Sequence, residues 1–176
     1  MKTILLTFLT LCILITISIS FFSCKSDSTN PENSNSTYDA NSINGTISFV
    51  DNNFTADTIN GYYDISAFSS WPPTGNATAS AKLKPVLSGG KYTAIFKIIV
   101  PANGQYTITS SYIKLPYSQG SVLGLGIYEV AGRDTVHNDS LNFQVPHPKA
   151  IITNGTGIGN VDFNSWLDTA KYIYKF

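Results

Sequence analysis

Cysteine is confined to the start of this 176-residue chain, at Cys12 and Cys24, with none in residues 25–176. That absence excludes a disulfide, a thiolate nucleophile and a cysteine-bound metal from everything after the first two dozen residues. Charge is scarce too. Eleven basic and eleven acidic side chains amount to 12 % of the chain and cancel. Binding to phosphate backbones needs a basic excess, so no nucleic-acid partner is expected. Histidine occurs twice, which leaves little material for general-base chemistry. Past residue 44 no segment repeats its apolar residues at helical spacing for more than two turns.

Aromatic and small polar residues are abundant, with ten Tyr and ten Phe among many Thr, Ser and Asn. This balance suits a strand-rich extracytoplasmic protein. A folded region of about 130 residues buries roughly two-thirds of its surface and needs no covalent staple.

The N-terminus places Lys2 before residues 4–22, which carry no charge. A basic start and an apolar run make a secretory leader, although this run is long enough to span a bilayer. It stops at Ser23-Cys24 and gives way to KSDSTNPENSNSTYDANSIN. A small residue before a cysteine, between an apolar run and a polar segment, resembles a bacterial lipobox. Two positions depart from that pattern: Phe21 stands where Leu is usual, and Phe22 where a small residue is usual. The resemblance implies a signal peptide over 1–23, palmitate or similar acyl groups on Cys24, and a mature protein held to the membrane by lipid. In the lipoproteins this resembles, Lys25 after the cysteine, in place of Asp, permits delivery to the outer membrane, which is the expected location, on its periplasmic or surface face. The alternative is an uncleaved anchor helix with an incidental cysteine. Residues 24–43 bury too little to fold and are expected to form a flexible tether.

From residue 44 to 176 the dominant period is two. TISFV sets Ile47 and Phe49 against Thr46, Ser48 and Val50. GYYDISAF puts Tyr63, Ile65 and Ala67 on one face and Tyr62, Asp64 and Ser66 on the other. KYTAIFKIIV aligns Tyr92, Ala94, Phe96, Ile98 and Val100, and GQYTITSSYIKL aligns Tyr106, Ile108, Ser110 and Tyr112. VLGLGIYEV, SLNFQV, NVDF and KYIYKF follow, and Asn-Gly, Pro-Pro and Gly-Gly pairs punctuate the runs. The expectation is an all-β, antiparallel β-sandwich of seven to eight strands, immunoglobulin-like in architecture. Gly45-Thr46-Ile47 and Gly104-Gln105-Tyr106-Thr107-Ile108 also resemble the opening and fourth-strand signatures of transthyretin-like modules, also described as carboxypeptidase-regulatory-like domains. That resemblance covers residues 44–166 and implies a fold, not an activity. A small outer-membrane β-barrel is the other all-β reading, prompted by the terminal Tyr172, Tyr174 and Phe176, but these strands are short and irregular for it.

Chemistry-bearing patterns are few. His137 lies near Asp134, Asp139 and Ser140, a set from which a Ser/His/Asp triad or a metal cluster, and hence an enzyme, can be drawn, and His147 sits between prolines in VPHPK; solvated loops are the preferred reading of both. Asp64 and Glu129 are carboxylates in strand-like segments, with nothing to set them face to face as glycoside hydrolysis requires. NGTGIGN reads as a loop or bulge, and DNNFTAD as a plain turn in preference to a calcium-binding loop. The six Asn-x-Ser/Thr triplets, Asn44, Asn53 and Asn76 among them, suit a composition rich in Asn and Thr. Aromatic residues are the more informative candidates. Trp71 in SSWPPTG, Trp166 in FNSWLD, Tyr62, Tyr112 and Tyr117 can reach the surface, where planar rings stack on sugars. The competing reading folds both tryptophans over the ends of the core. The sequence thus leads to a non-enzymatic, lipid-anchored interaction or structural module of the bacterial envelope, with catalytic residues, metal and cofactor all expected to be none. A glycan-binding module using Trp71, Tyr62, Tyr117 and Trp166 is the alternative, with an envelope protein or a glycan as partner.

Overall fold

Period-two alternation becomes ten strands in the computed structural model, which describes residues 37–51, 53–128 and 149–175. They are β1 (Ser42–Phe49), β2 (Gly61–Phe68), β3 (Ala79–Leu83), β4 (Val86–Ser88), β5 (Lys91–Ile99), β6 (Gly104–Lys114), β7 (Val122–Ile127), β8 (Ala150–Ile152), β9 (Phe163–Ser165) and β10 (Tyr174–Lys175). One sheet runs β4-β5-β1-β9, and the second runs β10-β7-β6-β2-β3 with β8 also paired to β6. Among the described residues the two are not closed into a barrel. Cys24 with the leader and most of the tether, Glu129, the His137 group, His147, the SLNFQV segment and Phe176 lie outside the described residues.

The expected faces are the faces the core uses. Ile47, Phe49, Ala94, Phe96 and Ile98 of the first sheet meet Tyr63, Ile65, Ala67, Ile108 and Tyr112 of the second, all buried. Phe49 and Tyr63 touch edge-to-face across the sheets with ring centroids 5.8 Å apart, a geometry in which the ring edge meets the electron-rich face. The Ser110 hydroxyl donates to Ser165 Oγ at 2.7 Å between the two layers, which satisfies a polar pair that would otherwise be costly to bury.

Ten strands, the short pieces β4, β8 and β10 among them, stand where seven to eight were expected, and three further details differ from the sequence reading. β1 pairs with β9 in parallel, Ile47 against Phe163, so the sandwich is not antiparallel throughout. Tyr112, which was open to a surface position, is only 2 % exposed because its row faces the other sheet. The folded body also begins before Asn44: Ser42 and Ile43 are fully buried, and Asp39 pairs with Lys97. NGTGIGN is what holds that early segment. Ile158 bridges Ile43 in parallel, and Gly157 lets the strand close in, since a Cβ there would overlap the Asp39 carbonyl oxygen.

The end of the chain is clamped onto this frame. Asp51, buried at the exit of β1, accepts from the Leu167 and Asp168 amides at 2.6 and 2.7 Å. The Tyr63 hydroxyl donates to the Leu167 carbonyl at 2.8 Å, and burial, aided by the nearby charges of Asp57, Asp51 and Asp168, pushes its phenol up to about 12. A Tyr63→Phe change is therefore expected to lower stability by about 1 kcal/mol, the usual worth of one buried hydrogen bond, in urea unfolding. An unchanged midpoint would show that this bond contributes nothing.

Candidate functional site

The face of the second sheet turned away from the core is partly covered. Along β2 the outward row is Tyr62, Asp64, Ser66 and Phe68, and register places Asp64 between Ser111 of β6 and Lys82 of β3. Ser66 falls between Thr109 and Ser80 in the next rung. Asp64 is 5 % exposed and Ser66 8 %. A carboxylate this shielded on an outward row requires a roof.

Tyr174 of β10 supplies part of it. Its ring lies over Gly124 of β7, where a Cβ would collide with the aromatic carbons, so glycine is what allows the ring to lie flat on the sheet. Trp71 packs on Tyr174 with centroids 5.7 Å apart, and Phe68 packs on Trp71 at 5.9 Å, both edge-to-face. The SSWPPTG loop, whose Trp71–Pro72 peptide is cis, carries the chain across this face. Between loop and sheet remains a cleft of about 430 Å³, floored by Asp64, Ser66, Ser80 and Ser111 and walled by Tyr117 and Tyr174. That volume is in the range of small-ligand sites.

Electrostatics single out Asp64. Its Oδ2 accepts from the Ser66 hydroxyl at 2.8 Å. Burial raises its pKa to about 6, against the opposing pull of the Ser66 hydrogen bond and the Lys82 charge. Lys82 does not reach it as a salt-bridge partner; its Nζ sits 4.3 Å from the Tyr62 ring centroid. Tyr174 is pushed up to about 12, first by burial, with the Thr109 and Ser111 side chains pulling the other way.

A second concavity, of about 570 Å³, lies on the opposite sheet beside Thr46, Ile95, Lys97 and Asp162. It is larger, but its charges are engaged with the protein itself. Asp162 accepts from the Thr46 amide at 2.7 Å, and Lys97 pairs with Asp39. The DNNFTAD acids are committed in the same way. Asp51 holds the Leu167 and Asp168 amides. Asp57 accepts from the Asn60 and Ile59 amides and from the Asn60 side chain, which lowers its pKa to about 2. Among the described residues no three His, Cys, Asp or Glu side chains stand together to hold a metal.

The four aromatic candidates separate. Tyr117 lines the cleft and is 70 % exposed. Trp71 backs it through Tyr174. Tyr62 shares the outward row but lies under the Lys82 ammonium. Trp166 is elsewhere, half-buried against the core with Lys171 Nζ 4.2 Å from its ring centroid. Its face is thus occupied by a neighbour, and the structure does not bring it together with Trp71. Asp64, Ser66, Ser111 and Tyr174 complete the cleft and were not sequence candidates for binding. A charged residue in an otherwise apolar-and-serine strand was the available signal. Compared with protein-family models, curated proteins and solved structures, the chain finds no match.

Proposed function

We propose that this protein is a lipid-anchored, non-enzymatic binding module of the bacterial envelope, whose ligand enters the cleft over β2, β6 and β7. The observation that carries the reading is the cleft: hydroxyls of Ser66, Ser80 and Ser111 surround a buried carboxylate, and Tyr117 stands at the mouth. Hydroxyl and carboxylate groups exchange hydrogen bonds with a polyol, and an aromatic ring stacks on the C–H face of a sugar. These features favour a saccharide over an envelope protein as ligand. Among the described lining residues Asp64 is the one carboxylate, which suits holding a sugar; two would be needed to cut a glycosidic bond. The resemblance of Gly45-Thr46-Ile47 and Gly104–Ile108 to transthyretin-like modules implies a scaffold that carries binding sites of many kinds.

Membrane attachment is supported by the apolar run that ends at Cys24 and by the polar segment behind it. Acyl chains hold by about 0.8 kcal/mol per buried methylene, so several chains on one cysteine retain a domain at an outer-membrane surface. Cys24→Ala is expected to abolish palmitate labelling and to leave the leader on the chain. Label surviving the substitution, or an intact leader on the purified unaltered chain by mass spectrometry, would contradict the anchor. For the cleft, Tyr117→Ala and Trp71→Ala are each expected to weaken saccharide binding on a glycan array about tenfold, the loss of one stacking contact or its support. Undiminished binding by both variants would contradict the site.

A further inference from the structure

Asp64 is an odd residue for a site that takes only neutral sugar. Its carboxylate is 5 % exposed and is held on one oxygen by Ser66. Among the described residues it has no salt-bridge partner: the ion pair found there joins Lys97 and Asp39, and Lys82 rests on Tyr62. Ser66, Ser80 and Ser111 beside it offer hydroxyls but no cation. A buried carboxylate without a contacting positive charge is costly, and the cost is relieved when a ligand brings that charge.

We infer that the ligand presents a primary ammonium among its hydroxyl groups, as a deacetylated amino sugar does, and that Asp64 is the residue that selects it. This rests on the saccharide reading of the cleft. The ammonium meets the carboxylate oxygen that Ser66 leaves open, and the ring hydroxyls meet the serines. The apolar ring face lies against Tyr117 and Val122, which also line the cleft. An N-acetylated sugar lacks the charge and adds bulk at the floor of the cleft. An acidic sugar meets repulsion.

The selection follows the ionisation of Asp64, whose pKa is near 6. Groups facing it are Lys82 from β3, Tyr174 from β10, Tyr117 from the loop after β6 and Tyr62 on β2; from β6 and β7 the facing residues are Ser111, Ile113 and Val122, which do not titrate. Tyr174 stays protonated, being held up to about 12. Acidification therefore neutralises the carboxylate and removes the preference.

The test is calorimetric titration of the full-length protein in detergent micelles with glucosamine, N-acetylglucosamine, glucose and lysine amide, at about pH 7 and about pH 5. Glucosamine is expected to bind about tenfold tighter than glucose at the higher pH, with the ratio falling towards one at the lower pH and in Asp64→Asn at either. Glucose or N-acetylglucosamine binding the unaltered protein as tightly as glucosamine would overturn the inference and leave the saccharide reading standing. Lysine amide competing as well as glucosamine would overturn its sugar half. No heat from any sugar would overturn the saccharide reading and the inference with it. The ligand comparison needs no variant, so it holds whether or not Asp64→Asn folds.

Discussion

Asp51→Ala is expected to lower the unfolding free energy by about 3 kcal/mol, because it strips the acceptor from two amides that are buried or nearly so. Asp51 is 7 % exposed and Leu167 is 1 % exposed, so water cannot replace the lost bonds without opening the segment. The Leu167 carbonyl would remain on the Tyr63 hydroxyl, leaving the segment held from one side only. Asp51→Asn retains one acceptor oxygen and is expected to cost roughly half as much. The site of damage is also specified. Hydrogen exchange should accelerate at Leu167 and Asp168 before it does at the β2–β6 ladder. A loss below about 1 kcal/mol by urea titration, or uniform acceleration across both sheets, would show that Asp51 is not the clamp.

The second large effect has the opposite sign. Asp64→Asn is expected to stabilise the domain by about 3 kcal/mol above pH 7, since a carboxyl raised from 3.8 to about 6 disfavours folding by about 1.4 kcal/mol per unit once ionised. The sign follows from proton counts. Between about pH 4 and pH 6 the unfolded chain has released the Asp64 proton while the folded chain still holds it. The unfolded state then binds fewer protons, and stability falls as pH rises. Above about 6 the penalty is complete; below about 4 both states are protonated and it vanishes. The variant and the parent should accordingly match at about pH 3.5 and diverge through the window up to about 6.5. A gap that stays constant over that range would mean the carboxyl is not perturbed. A residue that weakens its own fold at neutral pH is of the kind retained at binding sites, where function opposes stability.

Much of the frame was readable because a half-buried strand announces itself by alternation. In β5 each expected inward residue from Ala94 to Ile98 is buried and Ile95, Lys97 and Ile99 are exposed. Alternation could not show what covers the other face. It set Asp64 and Ser66 on one face without showing what lies over them, and only the packing of Tyr174 over Gly124 turns that face into the floor of a cleft. The terminal tyrosines were legible as an alternating pair, yet Tyr174 is buried and Tyr172 is 45 % exposed. They are preceded by a 3-10 turn at Thr169–Lys171, capped by the Asp168 carboxylate on the Ala170 amide at 2.9 Å. The parallel pairing of β9 beside β1 joins residues more than a hundred positions apart, a separation at which local pattern carries no information. Trp166 and Trp71 looked alike in sequence, both in aromatic-laced loops. Lys171 over one and Tyr174 against the other assign them different surroundings.

The most direct test of the binding reading is chemical-shift mapping by NMR on the isotopically labelled full-length protein in micelles as glucosamine is added. The cleft predicts that the resonances that move are those of Asp64, Ser66, Ser80, Ser111 and Tyr117, and that the Trp71 indole follows through Tyr174. Shifts confined to the opposite sheet around Ile95 and Asp162, or none at saturating sugar, would contradict it.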